Sequence, residues 1–173
     1  MGNLLFSPSG RIGSGQFMSG ATILIAIGLV LGVLPIFVPV LALLNIVGLV
    51  LFWCWIVLWV KRYHDGGKSG WMCLIPIIVY LILGGIITFV LTQMFTDPEA
   101  AAAAAEAAAE AAENGDFGAM FKLAGGGAGV SKMGLIIVQV VSAVISYLIA
   151  MVFNNLIKHD AHDNQFGPEA GTA

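Results

Sequence analysis

Four stretches of this chain, 17–38, 41–60, 71–95 and 133–156, each run for at least 20 residues without one Asp, Glu, Lys, Arg or His. The hydrocarbon core of a bilayer is about 30 Å thick, and a helix rising 1.5 Å per residue crosses it in roughly 20 apolar residues. The pattern therefore predicts an all-α membrane protein, a bundle of four transmembrane helices. Only 10% of the residues are charged and the mean hydropathy is +0.96, against about 25% charged in an ordinary soluble domain. A soluble globule cannot cover that much apolar surface. A formal net charge of −3 gives no basis for nucleic-acid binding. The absence of ionisable groups from the spans also argues against a proton-coupled pump or charge-relay transporter. No Walker loop, nucleophile elbow or H-E-x-x-H helix is present, and no cofactor is expected.

Pro35 and Pro39 bracket a charge-free turn between the first two runs, which predicts a tight helical hairpin. With four spans, Arg11, Lys61, Arg62, Lys68 and Lys158 share one side. Lys122 and Lys132 lie on the other with Asp97, Glu99, Glu106, Glu110, Glu113 and Asp116. The positive-inside rule then places both termini in the cytoplasm. Trp71 and Tyr63 fit an interfacial aromatic belt there, with Trp53, Trp55 and Trp59 approaching it from within. The N-terminal residues 1–16 are polar and the apolar run after them is too long for a cleavable signal peptide. Cys54 and Cys73 lie in apolar runs and read as small hydrophobes rather than a disulfide. Gly28-x-x-x-Gly32, Gly84, Gly85 and Ser142/Ser146/Ala150 supply small-residue seams, expected to pack within the bundle rather than between copies. Asn45 and Gln139 are the deepest amides, with Asn154 and Asn155 near the cytoplasmic end, and all read as inter-helix hydrogen-bonding groups.

Residues 97–132 break the pattern as an extracytoplasmic, Ala-rich helical insertion between the third and fourth spans. Thr96 reads as an N-cap, Pro98 as first turn and Glu99 as the partner in a capping box. Ala100–Ala112 is a strong helix former and Asn114-Gly115 a stop. Glu99, Glu106, Glu110 and Glu113 share one face. A solvated spacer outweighs an acidic partner-binding face, because alanine offers little surface to anchor a partner. Phe117, Met120, Phe121 and Ala124 recur at helical spacing as a short amphipathic stretch. The glycine run 125–129 reads as a flexible link.

The densest polar cluster is Lys61-Arg62-Tyr63-His64-Asp65-Gly66-Gly67-Lys68-Ser69-Gly70-Trp71. It resembles the R-R-L-H-D-x-G-x-S-G-W signature of the bacterial inner-membrane family of domain of unknown function 805. Arg62, His64, Asp65, Gly67, Ser69, Gly70 and Trp71 carry the resemblance, with Lys61 and Tyr63 in place of arginine and leucine. Gly10, Arg11, Ile12 and Phe17 fit an opening G-R-I-x-R-x-x-F, with Ser14 where a second arginine stands in the family. Asn164, Phe166, Gly167 and Pro168 fit a closing N-x-F-G-P. The resemblance spans the chain apart from 97–132, so the whole of 1–173 reads as one four-span domain with a cytoplasmic tail, 158–173. It implies an inner-membrane location and no defined activity.

All three motifs are expected on one membrane face. Two readings compete for Arg11, Arg62, His64, Asp65, Lys68, Ser69, Trp71 and Asn164. In one, Arg62 and Asp65 lock a loop that obeys the positive-inside rule. In the other, the cations, Ser69 and the amides of Gly66, Gly67 and Gly70 form a pocket for an anionic lipid headgroup or another small anion, with Trp71 as an anchor. His64 and Asp65 are placed to bond each other or an arginine. His159 and His162 on a helix continuing the fourth span would share a face, but solvated imidazoles outweigh a metal site, and no metal is expected. The functional expectation is a non-catalytic scaffold or regulatory subunit with a membrane-protein partner or a second copy beside it in the bilayer. The alternatives are a carrier of anionic lipid and a membrane enzyme using His64 and Asp65.

Overall fold

The computed structural model describes residues 2–125 and 129–170. Its helices are α1 (Gly2–Leu5), α2 (Ser14–Phe37), α3 (Val47–Asp65), α4 (Leu74–Phe95), α5 (Pro98–Glu113), α6 (Phe117–Gly125) and α7 (Lys132–Leu156). Two 3-10 segments, Pro39–Ile46 and Gly70–Cys73, lead into α3 and α4. Among the described residues there is no β-strand, only isolated bridges. Four helical stretches are long and apolar enough to cross a membrane: Ser14–Phe37, Pro39–Asp65, Gly70–Phe95 and Lys132–Leu156.

Two boundaries differ from the sequence expectation for a physical reason. The second helix does not stop where charge begins at Lys61; α3 continues through Asp65. Hydropathy marks where a helix leaves the apolar layer, whereas the helix itself ends where its hydrogen bonds do. At its other end the second span begins at Pro39 rather than at 41, and only Val38 separates it from α2. Pro35 sits in the last turn of α2, Val38 N–H bonds Leu34 O at 3.0 Å, and Pro39 opens the 3-10 segment. The described side chains exclude that of Asn45.

Helix α7 lies between α2 and α4 and contacts both along their lengths, while α3 packs on α2 and on the Gly70–Cys73 turn. The glycines permit this closeness. A Cβ on Gly32 would overlap the Gln139 amide, one on Gly20 the Leu58 side chain, and one on Gly134 the Phe95 ring. Backbone proximity at small residues is how helices associate where lipid removes the hydrophobic drive. Gly28 and Gly85 meet nothing, so the Gly28-x-x-x-Gly32 seam is occupied at one end only.

The buried core gathers toward the end where α3 and α7 finish. Phe17 packs on Trp59 with ring centroids 4.5 Å apart, and Tyr63 and Phe153 flank Trp59 at 6.2 Å. Tyr63 therefore belongs to the core rather than to an interfacial belt; Trp71, 80% exposed, faces outward. Cys54 and Cys73 are buried and unbridged.

At the opposite end, α4 and α7 are pinned by a bridge between Thr96 and Val130. Asp97 N–H donates to Gly129 O, and Ser131 N–H to Phe95 O, each at 3.0 Å. The chain between them leaves and returns through this neck. The cap of α5 is Asp97, not Thr96: the Asp97 carboxylate accepts from Glu99 and Ala100 N–H, while Thr96 Oγ1 turns back to Thr92 O at 2.7 Å. A threonine closing one helix cannot also cap the next. Asn114 and Gly115, the latter at φ +65°, end α5 as expected. Helix α6 returns against the Pro39–Ile46 segment. Residues 126–128, most of the expected flexible glycine link, lie outside the described residues, as do the side chains of Phe121, Lys122 and Ala124.

Candidate functional site

The last turn of α3 sets the geometry of the motif cluster. Arg62 and Asp65 stand three residues apart on one helical face, and Arg62 Nη1 donates to Asp65 Oδ2 at 2.8 Å. Both side chains are enclosed, Arg62 at 2% and Asp65 at 0% exposure. The rest of the Arg62 fork crosses to the end of α7. Nε donates to Asn154 Oδ1 at 2.5 Å, and Nη2 to the carbonyls of Asn154 at 2.9 Å and Ile157 at 2.5 Å. Asn154 in turn donates to Ser14 Oγ at 2.7 Å, at the start of α2. Three helix ends are thereby joined around one guanidinium.

A second guanidinium closes the cluster from the N-terminal segment. Arg11 Nη2 reaches Asp65 Oδ1 at 3.4 Å and Asp65 O at 3.2 Å, and donates also to Asp160 O. Its Nη1 donates to His162 O at 2.6 Å and Gly167 O at 3.4 Å. Arg11 Nε alone, among buried side-chain nitrogens and oxygens of the described residues, has no partner. Two guanidiniums thus face one carboxylate, and tail carbonyls carry the remaining donors. Such an arrangement tolerates burial because nearly every proton has an acceptor.

The tail is laid across this end of the molecule. Helix α7 finishes at Leu156, and Asp160 N–H donates to Asp65 O at 3.0 Å. His159 Nδ1 lies 2.9 Å from Asp65 Oδ1 and its Nε2 3.3 Å from Glu169 Oε1. These two carboxylate contacts raise the His159 pKa above the ordinary histidine value. Asn164 Nδ2 donates to His64 O and to Asp160 Oδ2, each at 3.1 Å. That bond, more than any other contact, lowers the Asp160 pKa. The Phe166 ring stacks on His64, centroids 3.8 Å apart and planes within 3°. His64 Nδ1 sits 3.3 Å from Gly10 O.

Of the eight expected site residues, the structure brings Arg11, Arg62, His64, Asp65 and Asn164 together and turns Lys68, Ser69 and Trp71 outward. His64 and Asp65 do not pair: the first meets Phe166 and Gly10, the second Arg62, Arg11 and His159. The loop glycines serve the tail. A Cβ on Gly66 would strike Ile157 Cγ2 and Lys158 O, and Gly67 holds φ +66°. Their N–H groups bond Tyr63 O and His64 O at 3.1 and 3.0 Å. His159 and His162 do not share a helical face, since α7 has already ended; His162 is exposed beside Asp160. Among the described residues no three His, Cys, Asp or Glu side chains are grouped to hold a metal ion.

Sequence reasoning missed His159 and Ser14 as members of the cluster, and gave Asn154 only a generic inter-helix role. An amide placed in the last turn of an apolar helix was a signal for Asn154. Nothing local marks His159, whose partner lies 94 residues earlier.

A family model described as "Protein of unknown function (DUF805)" matches residues 5–104. The match takes in Arg11 and the whole Lys61–Trp71 segment and ends inside α5, so Asn154, the tail and Asn164–Pro168 lie beyond it. No curated protein and no solved structure matches the chain.

Proposed function

The chain belongs to the DUF805 family of proteins of unknown function, and on that footing we propose that it is a non-catalytic protein of the bacterial inner membrane, a scaffold or regulatory subunit. One observation carries this reading: every oxygen of Asp65 is engaged inside the protein and its side chain is closed to solvent. The residue best suited to acid–base chemistry is committed to holding helix ends together, and His64 is covered by Phe166. The four spans form a bundle with α5 and α6 as an extracytoplasmic insertion. Both termini are cytoplasmic, supported by the basic residues Arg11, Lys61, Arg62, Lys68 and Lys158 at the clasped end. The exposed apolar sides of the spans meet lipid and a protein partner or second copy.

Purification of the full chain from its native membrane in mild detergent, after brief amine cross-linking, tests the role. A protein recovered in fixed stoichiometry supports it; recovery of single chains alone overturns it. Thiol labelling of intact cells at Ser9→Cys and Glu110→Cys tests the orientation: only the second should react with an impermeant reagent.

A second reading, anionic-lipid headgroup binding, is favoured by one specific feature. Lys68, Ser69 and Trp71 are exposed on the same short loop, an ammonium and a hydroxyl beside an interfacial indole. Lys68→Ala should then weaken retention of phosphatidylglycerol, while Lys158→Ala should not.

A further inference from the structure

The loose side of the helix array is the wedge between α3 and α4, floored by α7. Two hollows open there. One, about 170 Å³, is walled by Phe52, Trp55, Trp59 and Pro76 among others. The other, about 190 Å³, reaches inward to Gly28 and Gln139. Trp55, Tyr80 and Ser146 line both, so the two adjoin as one crevice running from the lipid side toward α2.

Its chemistry is mixed. The mouth is aromatic and aliphatic, and Trp55, Tyr80, Gln139, Ser142 and Ser146 bring groups able to hydrogen-bond to the lining. An unpaired polar group within the hydrocarbon layer costs several kcal/mol, and water is scarce at that depth. The glycines keep the space open: Gly28 presents no side chain, and Gly84 lets the Tyr80 ring lie against its own helix, 3.4 Å from where a Cβ would be. No Asp, Glu, Lys, Arg or His lines either hollow, so a charged group would find no counter-ion there. Each hollow is smaller than the roughly 300 Å³ at which drug-sized ligands are enclosed. Two small hollows that share Trp55, Tyr80 and Ser146 leave room for a single alkyl chain rather than a bulky group.

We infer that this crevice binds an uncharged single-chain amphiphile. Its hydroxyl or carbonyl end meets Tyr80, Trp55 and Gln139, and its alkyl chain leaves between α3 and α4 past Phe52 and Trp59. The inference stands apart from the clasp formed by Arg11, Arg62, Asp65 and the tail and from the scaffold role, since it uses none of those residues.

The test uses the full chain in phosphatidylethanolamine–phosphatidylglycerol nanodiscs and a monoacylglycerol carrying a chain diazirine and an alkyne. A phosphatidylglycerol bearing the same diazirine serves as the charged comparator. Saturable labelling of Trp55, Tyr80 and Ser146 is expected, displaced by unlabelled monoacylglycerol and not by phosphatidylglycerol. Tyr80→Phe, which removes only the hydroxyl, should raise half-saturation about fivefold, the worth of one hydrogen bond. Ser146→Leu should abolish the saturable component by filling both hollows, with the melting temperature reporting whether the variant folds. Labelling spread evenly onto lipid-facing Phe89 and Val152 would overturn the inference. So would unchanged saturation in the folded Ser146→Leu and Tyr80→Phe proteins, preferential labelling by phosphatidylglycerol, or protein–protein cross-links between copies at Trp55 and Tyr80.

Discussion

Arg62 grips Asn154 twice, through Nε to the side-chain oxygen at 2.5 Å and through Nη2 to the main-chain carbonyl at 2.9 Å. The two residues are 92 positions apart, so this one fork fixes the end of α3 to the end of α7. It also explains why an arginine is needed there. A lysine ammonium is a point donor and cannot serve Asp65, Asn154 and Ile157 in one plane.

Asn154→Leu should therefore destabilise the protein by about 2–3 kcal/mol, because a buried cation loses an acceptor and the Ser14 contact goes with it. Arg62→Lys should cost at least as much. Thermal unfolding in detergent followed by tryptophan fluorescence reads both, and Asn155→Leu, on an exposed position of the same turn, is the control expected to show little change. Equal loss in the control would remove the special role of Asn154.

The tail should hold most firmly in mildly acidic solution. The His159 pKa is raised above 6.5 by Asp65 and Glu169, so its contribution is complete below 6.5 and disappears as pH rises through the raised value. The Asp160 pKa is lowered below 3.8, chiefly by Asn164, so its contribution is complete above 3.8 and disappears as pH falls through the lowered value. Arg11 and Arg62 also face Asp65. Hydrogen exchange at the amides of Asp160 and Asn164, corrected for intrinsic rates, should show greatest protection between these limits. His159→Gln should flatten the alkaline side; an unchanged profile in that variant would contradict the assignment.

Gly66 and Gly67 separate two physical effects. Gly66→Val places branches against Ile157 Cγ2 and Lys158 O and should lift the tail off the helix ends, exposing residues 158–170 to limited proteolysis. Gly67→Ala meets Asp160 Oδ2 and Asn164 Nδ2 only at ordinary contact distances, 3.5 and 3.9 Å, but must adopt φ +66°, costing roughly 1 kcal/mol without undocking the tail. Proteolysis of both variants at one temperature distinguishes them.

The neck at Thr96 and Val130 makes residues 98–128 dispensable for the clasp. Replacing 98–128 by a short glycine–serine linker leaves the Asp97 N–H to Gly129 O and Ser131 N–H to Phe95 O bonds in place. The shortened protein should insert and keep the tail protected, with a modest loss of melting temperature from the missing contact of α6 with Pro39–Ile46. Gly129→Ala is the harsher change, since a Cβ there would run into the backbone of Ala100 and Ala101 and φ is +87°. Failure of the shortened protein to protect its tail would show that the two ends depend on each other.

By itself the sequence determined where the chain can cross a bilayer, because transfer of apolar side chains is a local, additive property of each run of 20 or so residues. It also made the Arg62–Asp65 pair legible, since three residues is a helical spacing and both lie on α3. It marked the exposed Trp71 and the stop at Asn114-Gly115 on equally local grounds. What it could not determine was whether those charges face solvent or each other. That depends on Arg11, Asn154, His159 and Asn164, whose partners lie between 54 and 156 residues away in nearly every contact. The directional bonds of a guanidinium are satisfied only once α2, α3 and α7 have packed and the tail has folded back. Burial commits Arg11, Arg62 and Asp65 to one another, while Lys68, Ser69 and Trp71 of the same motif stay exposed. The crevice between α3, α4 and α7 is visible for the same reason: only the tertiary structure brings Trp55, Tyr80, Gln139 and Ser146 around one space.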